Sequence, residues 1–354
     1  MATSTEPAPT SCKVMLSKHV ANGLLEEVTE GVKTLEKPPH LVGFLANSDP
    51  AALMYAQWTE KTCHENGFRY SLREVHRDAL EEAILAANVD PEVDGIIVYY
   101  PIFNNRQDQY LQQIVDVSKD VEGLSHRYIF NMYQNIRFLD PETKRQKCIL
   151  PCTPLAIIKI LEYLNIYNTI LPYGNRLHGH TICVVNRSEV VGRPLAALLA
   201  NDGACVYSVD ITGIQKFYRG EGLKKGRHDV EEVEGKELKD IVPLCDTVIS
   251  GVPGDKYKFD TSLLRDGAVC INFSSEKNFG PEVKQKASLF VPSIGKVTIV
   301  VLLRNLLVGY KPLKWYRGVI GLTMAQQRLI QNKRMDDIKP AAATERPGTL
   351  EASS

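Results

Sequence analysis

Apolar positions along this chain follow two rhythms. HLVGFLA (40–46), GIIVYY (95–100), HTICVVN (180–186), DTVISGV (246–252), GAVCINF (267–273) and SLFVP (288–292) are short apolar runs suited to buried strands. FRYSLREV (68–75) alternates as a half-buried strand does, and ACVYSVD (204–210) reads as another. Between these runs the apolar spacing becomes helical: from residue 14 to about 35, then 50–66, 78–88, 154–164, 190–200 and 296 to about 307. The second of these helices carries its own punctuation, with Asp49 as N-cap, Pro50 at the first helical position and Gly67 past the end. Strand and helix alternate throughout, which predicts an α/β protein: two α/β domains with parallel sheets and helices on their faces. Pro101, Asn104 and Asn105 end the GIIVYY strand in a loop. Ligands of such sheets lie beyond the carboxyl ends of the strands, so topology alone makes Tyr99, Tyr100 and Pro101 site candidates.

Shifts in pattern divide the chain. Residues 1–13, rich in Ser, Thr, Pro and Ala, are expected to be disordered, and a first domain spans 14–150. A linking helix (151–165) opens a second domain, 151–310, which contains a polar, charged insertion (211–240) expected to be a surface excursion. A C-terminal helix at 311–331 is expected to return toward the first domain, with a disordered tail at 332–354.

Composition narrows the function classes. The 354 residues suffice for two α/β cores, and 42 Lys plus Arg balance 42 Asp plus Glu. Zero net charge argues against a surface built for nucleic acid or an anionic membrane. No apolar stretch reaches the roughly 18–20 residues of a membrane span. The start, MATSTEPAPTSCK, lacks the apolar core of a signal peptide and the arginines of a transit peptide, which leaves the cytosol as default and the nucleus open. Eight cysteines without a CxxC pair read as reduced, mostly buried thiols, with neither a disulfide framework nor a metal site.

The second domain reads as nucleotide-binding. CVVNRSEVVGRPLAALLANDGACVYSVD runs strand, loop, helix, strand, with Asn186, Arg187 and Ser188 in the loop and Gly192 as the helix opens. No GxGxxG is present, but the helix N-terminus offers free N–H groups and a positive dipole end to a pyrophosphate. Asp210 ends the second strand 24 positions after Asn186, near where dinucleotide folds place an acid for the ribose hydroxyls. A carboxylate there repels a 2′-phosphate, so it favours NAD over NADP; its rival reading is a solvated loop acid.

Four segments then carry a family. VVNRSEVVGRPLAALL, PCTPLAIIKILEYL, KDVEG (119–123) and VPSIGKVT (291–298) together resemble the methylenetetrahydrofolate dehydrogenase/cyclohydrolase family, most closely its fungal monofunctional NAD-dependent members, over about residues 14–310. The resemblance implies a catalytic N-terminal domain, a Rossmann-type NAD-binding domain, a cleft between them, a homodimer, and a place in one-carbon folate metabolism feeding purine biosynthesis. It implies substrate contacts at Tyr55, Tyr99, Glu122 and Pro292, and catalytic candidates Tyr55, Thr59, Tyr99 and Cys152. Cofactor contacts are implied at Asn186, Arg187, Ser188, Gly192, Arg193, Asp210, Ile211, Val252, Asn272 and Thr298.

Departures from the family pattern sharpen the expectation. Bifunctional members carry a Lys four positions after the Tyr, where this chain has Thr59, and Lys61 lies off that face of the helix. They read Val-Gln-Leu-Pro where this chain has Val98-Tyr99-Tyr100-Pro101. The ammonium that assists hydrolysis and its Gln partner are thus replaced together. The expectation is NAD-dependent oxidation of 5,10-methylenetetrahydrofolate without cyclohydrolase activity. Rivals are a bifunctional enzyme in which Lys61 or another group restores hydrolysis, a catalytically silent nucleotide-binding or regulatory protein, and a Rossmann dehydrogenase for another substrate.

Overall fold

Every strand of the first domain's sheet is parallel, and the helices between them supply the crossovers that parallel pairing requires. The computed structural model describes residues 12–140, 142, 146–220, 226–310 and 339–340. In chain order the first part comprises β1 (Lys13–Val14), α1 (Ser17–Lys33), β2 (His40–Leu45), α2 (Pro50–Glu65), β3 (Arg69–Glu74), α3 (Leu80–Val89), β4 (Gly95–Val98), α4 (Arg106–Ile114) and α5 (His126–Tyr133). The sheet runs β3-β2-β4. Asp49 caps α2, accepting from Ala51 N at 2.9 Å, and Gly67 follows the helix at φ +79°.

The linking helix α6 (Cys152–Tyr163) leads to β5 (Thr181–Val185), α7 (Gly192–Asn201), β6 (Cys205–Asp210), β7 (Gly213–Tyr218) and β8 (Asp229–Glu232). Then come α8 (Leu238–Ile241), β9 (Thr247–Ser250), β10 (Ala268–Asn272), α9 (Val283–Lys286), β11 (Ala287–Val291), α10 (Gly295–Tyr310) and β12 (Lys339–Pro340). The large sheet has the order β12-β1-β11-β10-β9-β5-β6-β7-β8, parallel from β1 to β6. From β5 the chain moves outward to β6, then returns to β9 on the other side. The switch point, and with it the expected ligand crevice, lies beyond Val185 and Ser250.

One apolar core runs through both domains, joining α1 (Val20, Val28), α6 (Ile157, Leu161), α7 (Leu195, Leu199) and α10 (Val301, Leu303). Helix α10 packs along α1 and against α6, so it belongs as much to the first domain as to the second.

Three expectations change. Cys12 and Lys13 are not disordered and Val14 does not begin a helix: Lys13 and Val14 pair with Leu289 and Phe290 of β11, and Cys12 is buried in the second domain's core. The described residues therefore begin in the large sheet. The described part of the 211–240 insertion is built into the fold rather than a surface excursion, because β7 and β8 extend that sheet as antiparallel strands, with Phe217 fully buried. The expected helix at 311–331 lies outside the described residues, as does the expected tail apart from β12, which pairs antiparallel with β1.

Candidate active site

Thr59 is fully buried one turn after Tyr55 on α2, and its hydroxyl donates to the Tyr55 carbonyl at 2.9 Å. Tyr99, just past β4, approaches from the sheet, its ring 6.0 Å from that of Tyr55 in an edge-on arrangement. The Tyr99 hydroxyl bonds that of Tyr70 on β3 at 2.8 Å, and the Thr59 side chain adjoins it. Thr59 spends its single proton on the Tyr55 carbonyl. Burial pushes the Tyr55, Tyr70 and Tyr99 phenols up, so all three stay neutral. The space for this pair comes from Gly43 on β2, where a Cβ would stand 2.3 Å from the Tyr70 hydroxyl oxygen.

Beside the tyrosines lies the 119–123 loop. Asp120 organises it by accepting from the backbone N–H groups of Gly123 and Ser125, each at 2.8 Å, and of Glu122 at 3.1 Å. Glu122 is thereby turned back to β4, where its carboxylate accepts from Val98 N at 3.2 Å. Burial is the main cause pushing the Glu122 carboxyl up to about 8; the Val98 N–H bond opposes it, and the nearby Asp120 adds a smaller upward push. Cys152 opens α6 close by, donating its thiol to the Val121 carbonyl at 3.4 Å. Burial, then Glu122 and Asp120, hold this thiol well above its ordinary value, which leaves no thiolate for nucleophilic attack near neutrality. Lys61 is exposed and 3.8 Å from Glu65, away from the cluster.

The second group of candidates sits at the switch point. Asn186, at φ +93°, donates from Nδ2 to the Gly251 carbonyl at 2.6 Å and accepts Ser188 N at 2.9 Å. Ser188 in turn accepts weakly from Val191 and Gly192 N, closing the loop on the first turn of α7. Only glycine fits at position 192, since a Cβ would lie 1.7 Å from the Asn186 carbonyl oxygen. Asp210 accepts from Arg187 N at 2.7 Å and Ile211 N at 2.8 Å. Asn272, at the end of β10, donates to the carbonyls of Ser274, Glu276 and Pro292, while its Oδ1 is buried with no partner among the described residues. That free acceptor, the Asp210 carboxylate and the glycine-tight turn fit the amide, ribose and pyrophosphate of a dinucleotide. Val252 N is held by Asn278 at 2.8 Å, Arg193 pairs with Glu189 on the surface, and the Thr298 hydroxyl is turned back to Ile294.

Helix α10 joins the two groups. Thr298 lies in its first turns, and seven residues on, roughly 10 Å along the axis, Asn305 donates to Val121 O at 2.9 Å and Leu150 O at 3.0 Å. The candidates thus fall into two clusters, Tyr55, Thr59, Tyr99, Glu122 and Cys152 in one, the 186–193 loop, Asp210, Ile211, Val252 and Asn272 in the other, with Pro292 and Thr298 leading into α10. Sequence reasoning missed Gly43, Tyr70 and Asn305. Tyr70 was visible as an aromatic in an alternating strand, but its partner lies on another strand.

Known proteins bear on this arrangement. Residues 15–122 match the family model for the tetrahydrofolate dehydrogenase/cyclohydrolase catalytic domain, and residues 151–218 match that for its NAD(P)-binding domain. The chain is 61% identical over 298 residues to a methylenetetrahydrofolate dehydrogenase (NAD+) of Schizosaccharomyces pombe, covering 84% of this chain and 92% of that protein. A counterpart of the same description from Saccharomyces cerevisiae is 57% identical over 305 residues, covering 83% and 95%. The solved structure of the NAD-dependent 5,10-methylenetetrahydrofolate dehydrogenase from Saccharomyces cerevisiae superposes with a TM-score of 0.80 at 54% identity, covering 87% of this chain and 98% of that one.

Proposed function

The chain belongs to the tetrahydrofolate dehydrogenase/cyclohydrolase family, and from that premise we propose that it is the dehydrogenase alone, oxidising 5,10-methylenetetrahydrofolate to the 5,10-methenyl form with NAD+ and leaving the product unhydrolysed. The observation that carries this reading is the buried Thr59, its hydroxyl spent on the Tyr55 carbonyl, beside the bonded Tyr70–Tyr99 pair: neutral groups fill the place where the family resemblance puts a lysine and its glutamine.

The residues divide the work. Glu122 offers two acceptor oxygens to the ring N–H and amino group of a pterin. Tyr55 and Tyr99 present aromatic edges to the bound ring, and Cys152 with Asn305 keeps the 119–123 loop against α10. Asp210 is placed for ribose hydroxyls, the turn at Ser188 and Gly192 for the pyrophosphate, and Asn272 for a carboxamide. NAD+, when bound, supplies the acceptor for the hydride. The product is a cation stabilised by its own amidinium conjugation, so the protein needs no strong base, only close and ordered reactants. An absent ammonium also removes a charge that would repel that cation.

The bifunctional alternative has little support, because Lys61 points to Glu65 and solvent. A homodimer and a cytosolic or nuclear location complete the proposal; among the described residues no helix is long and apolar enough to cross a membrane. The direct test follows reduced cofactor with 5,10-methylenetetrahydrofolate and either NAD+ or NADP+. Turnover with NAD+ alone supports the reading, and preferred turnover with NADP+ contradicts it.

A further inference from the structure

The turn that follows Asp210 is held by an arginine. β6 and β7 pair antiparallel with Asp210 opposite Gly213, which leaves Ile211 and Thr212 between them. The positive φ of the turn falls on Gly213, at +121°, and not on the two β-branched residues. Ile211 is fully exposed. Arg187 holds the turn from outside. Its guanidinium donates to Thr212 Oγ1 at 2.7 Å, to Ser208 O at 3.0 Å and to Gly213 O at 3.4 Å.

This placement has a consequence for the cofactor. Arg187 N lies 2.7 Å from the Asp210 carboxylate, so its backbone is at the expected ribose position. An arginine near that position is what ordinarily accommodates a 2′-phosphate. Here the guanidinium reaches past Asp210 to neutral oxygens of the turn, so it neither quenches the Asp210 charge nor presents its fork to the 2′ position.

We propose that Thr212 is a specificity-determining residue: by holding Arg187 on the β6–β7 turn, it denies a 2′-phosphate the counter-charge nearest Asp210 and so enforces the selectivity for NAD over NADP that Asp210 begins. Thr212 acts through Arg187 and is a positioning residue. The inference rests on the NAD-dependent reading of the site.

The test uses the two adenosine halves as probes. Binding of 5′-AMP and of adenosine 2′,5′-bisphosphate to the full-length protein is measured by titration calorimetry for wild type, Thr212→Val, Thr212→Ser and Thr212→Val/Arg187→Gln. Freeing one charge-assisted donor should tighten adenosine 2′,5′-bisphosphate about fivefold in Thr212→Val, with 5′-AMP moving by less than about twofold. Thr212→Ser should behave as wild type, and the gain should vanish when Arg187 is also replaced. The ratio of kcat/KM for NAD+ to that for NADP+ should fall in step. An unchanged bisphosphate affinity, equal weakening of both probes, or a gain that survives loss of Arg187 would each overturn the proposal. Failure of wild type to bind 5′-AMP or to turn over NAD+ would instead sink the underlying cofactor reading.

Discussion

The side-chain amide of Asn186 donates to the carbonyl of Gly251 at 2.6 Å, bridging the ends of β5 and β9 where the strand order of the large sheet reverses. Its backbone sits at φ +93°, a conformation glycine adopts freely and asparagine tolerates only with help. The help is visible: Oδ1 accepts Ser188 N while Nδ2 crosses to Gly251. Gly251 is itself constrained, since a Cβ there would overlap the Phe273 ring. The crevice floor is therefore tied together by a side chain rather than left to a flexible glycine.

Asn186→Ala should lose both bonds and keep the backbone strain, destabilising the protein by about 1–3 kcal/mol and raising the KM for NAD+. Asn186→Gly relieves the strain and should cost less stability while still raising that KM. Thermal unfolding with and without NAD+, together with cofactor kinetics, checks both.

Gly43 sets the space for the tyrosine pair. Gly43→Ala would bring a methyl within 2.3 Å of the Tyr70 hydroxyl oxygen, costing about 1–3 kcal/mol and weakening folate binding through displaced Tyr99. Removing that oxygen by Tyr70→Phe in the same chain should restore much of the loss, although Tyr70→Phe alone costs about 1 kcal/mol by breaking the bond to Tyr99. A double-mutant cycle in denaturant measures the coupling.

Glu122 predicts a pH dependence with a definite sign. Its carboxyl is pushed up to about 8, so the empty site is protonated at neutral pH, and binding two pterin donors requires the ionised form. Folate binding should therefore release a proton below pH 8, with KM falling as pH rises toward 8 and levelling above it. Near pH 7 the deficit is about tenfold. The same raised value means stability falls as pH climbs from about 4.5 to 8, because the unfolded chain ionises first. Glu122→Gln should raise the folate KM, flatten its pH profile and remove that part of the stability loss.

How much of this was legible beforehand depended on the range of the interaction. The runs at 40–46, 95–100, 180–186 and 267–273 became β2, β4, β5 and β10, since apolar continuity is a local signal. Thr59 and Tyr55 could be placed on one helix face by spacing alone. The β7–β8 hairpin could not be read: its buried residues on β7, Ile214 and Phe217, are three apart and so face opposite sides of the strand, and Lys216, on the side of Ile214, pairs with Glu231. Tyr70 and Tyr99 lie 29 positions apart, and Asn305 reaches Val121 across 184, so neither bond has a local signature. The strand at Lys13–Val14 is too short for any period to declare it.

Thr59→Lys should not create hydrolysis by itself. The new ammonium would be buried against the Tyr70–Tyr99 pair, where desolvation favours the neutral amine. Thr59→Lys with Tyr99→Gln restores both elements that the family resemblance implies and should hydrolyse the methenyl form above the spontaneous rate. Comparison of the single and double variants by absorbance of the methenyl chromophore decides this.

The most direct test of the account is the wild-type protein with 5,10-methenyltetrahydrofolate and no nicotinamide cofactor. Decay of the chromophore at the spontaneous rate, at any enzyme concentration, is the predicted result for a site whose Thr59, Tyr70 and Tyr99 hydroxyls are neutral and hydrogen-bonded within the protein. Decay that accelerates in proportion to enzyme would contradict it, and would mean that another group supplies what these three hydroxyls lack.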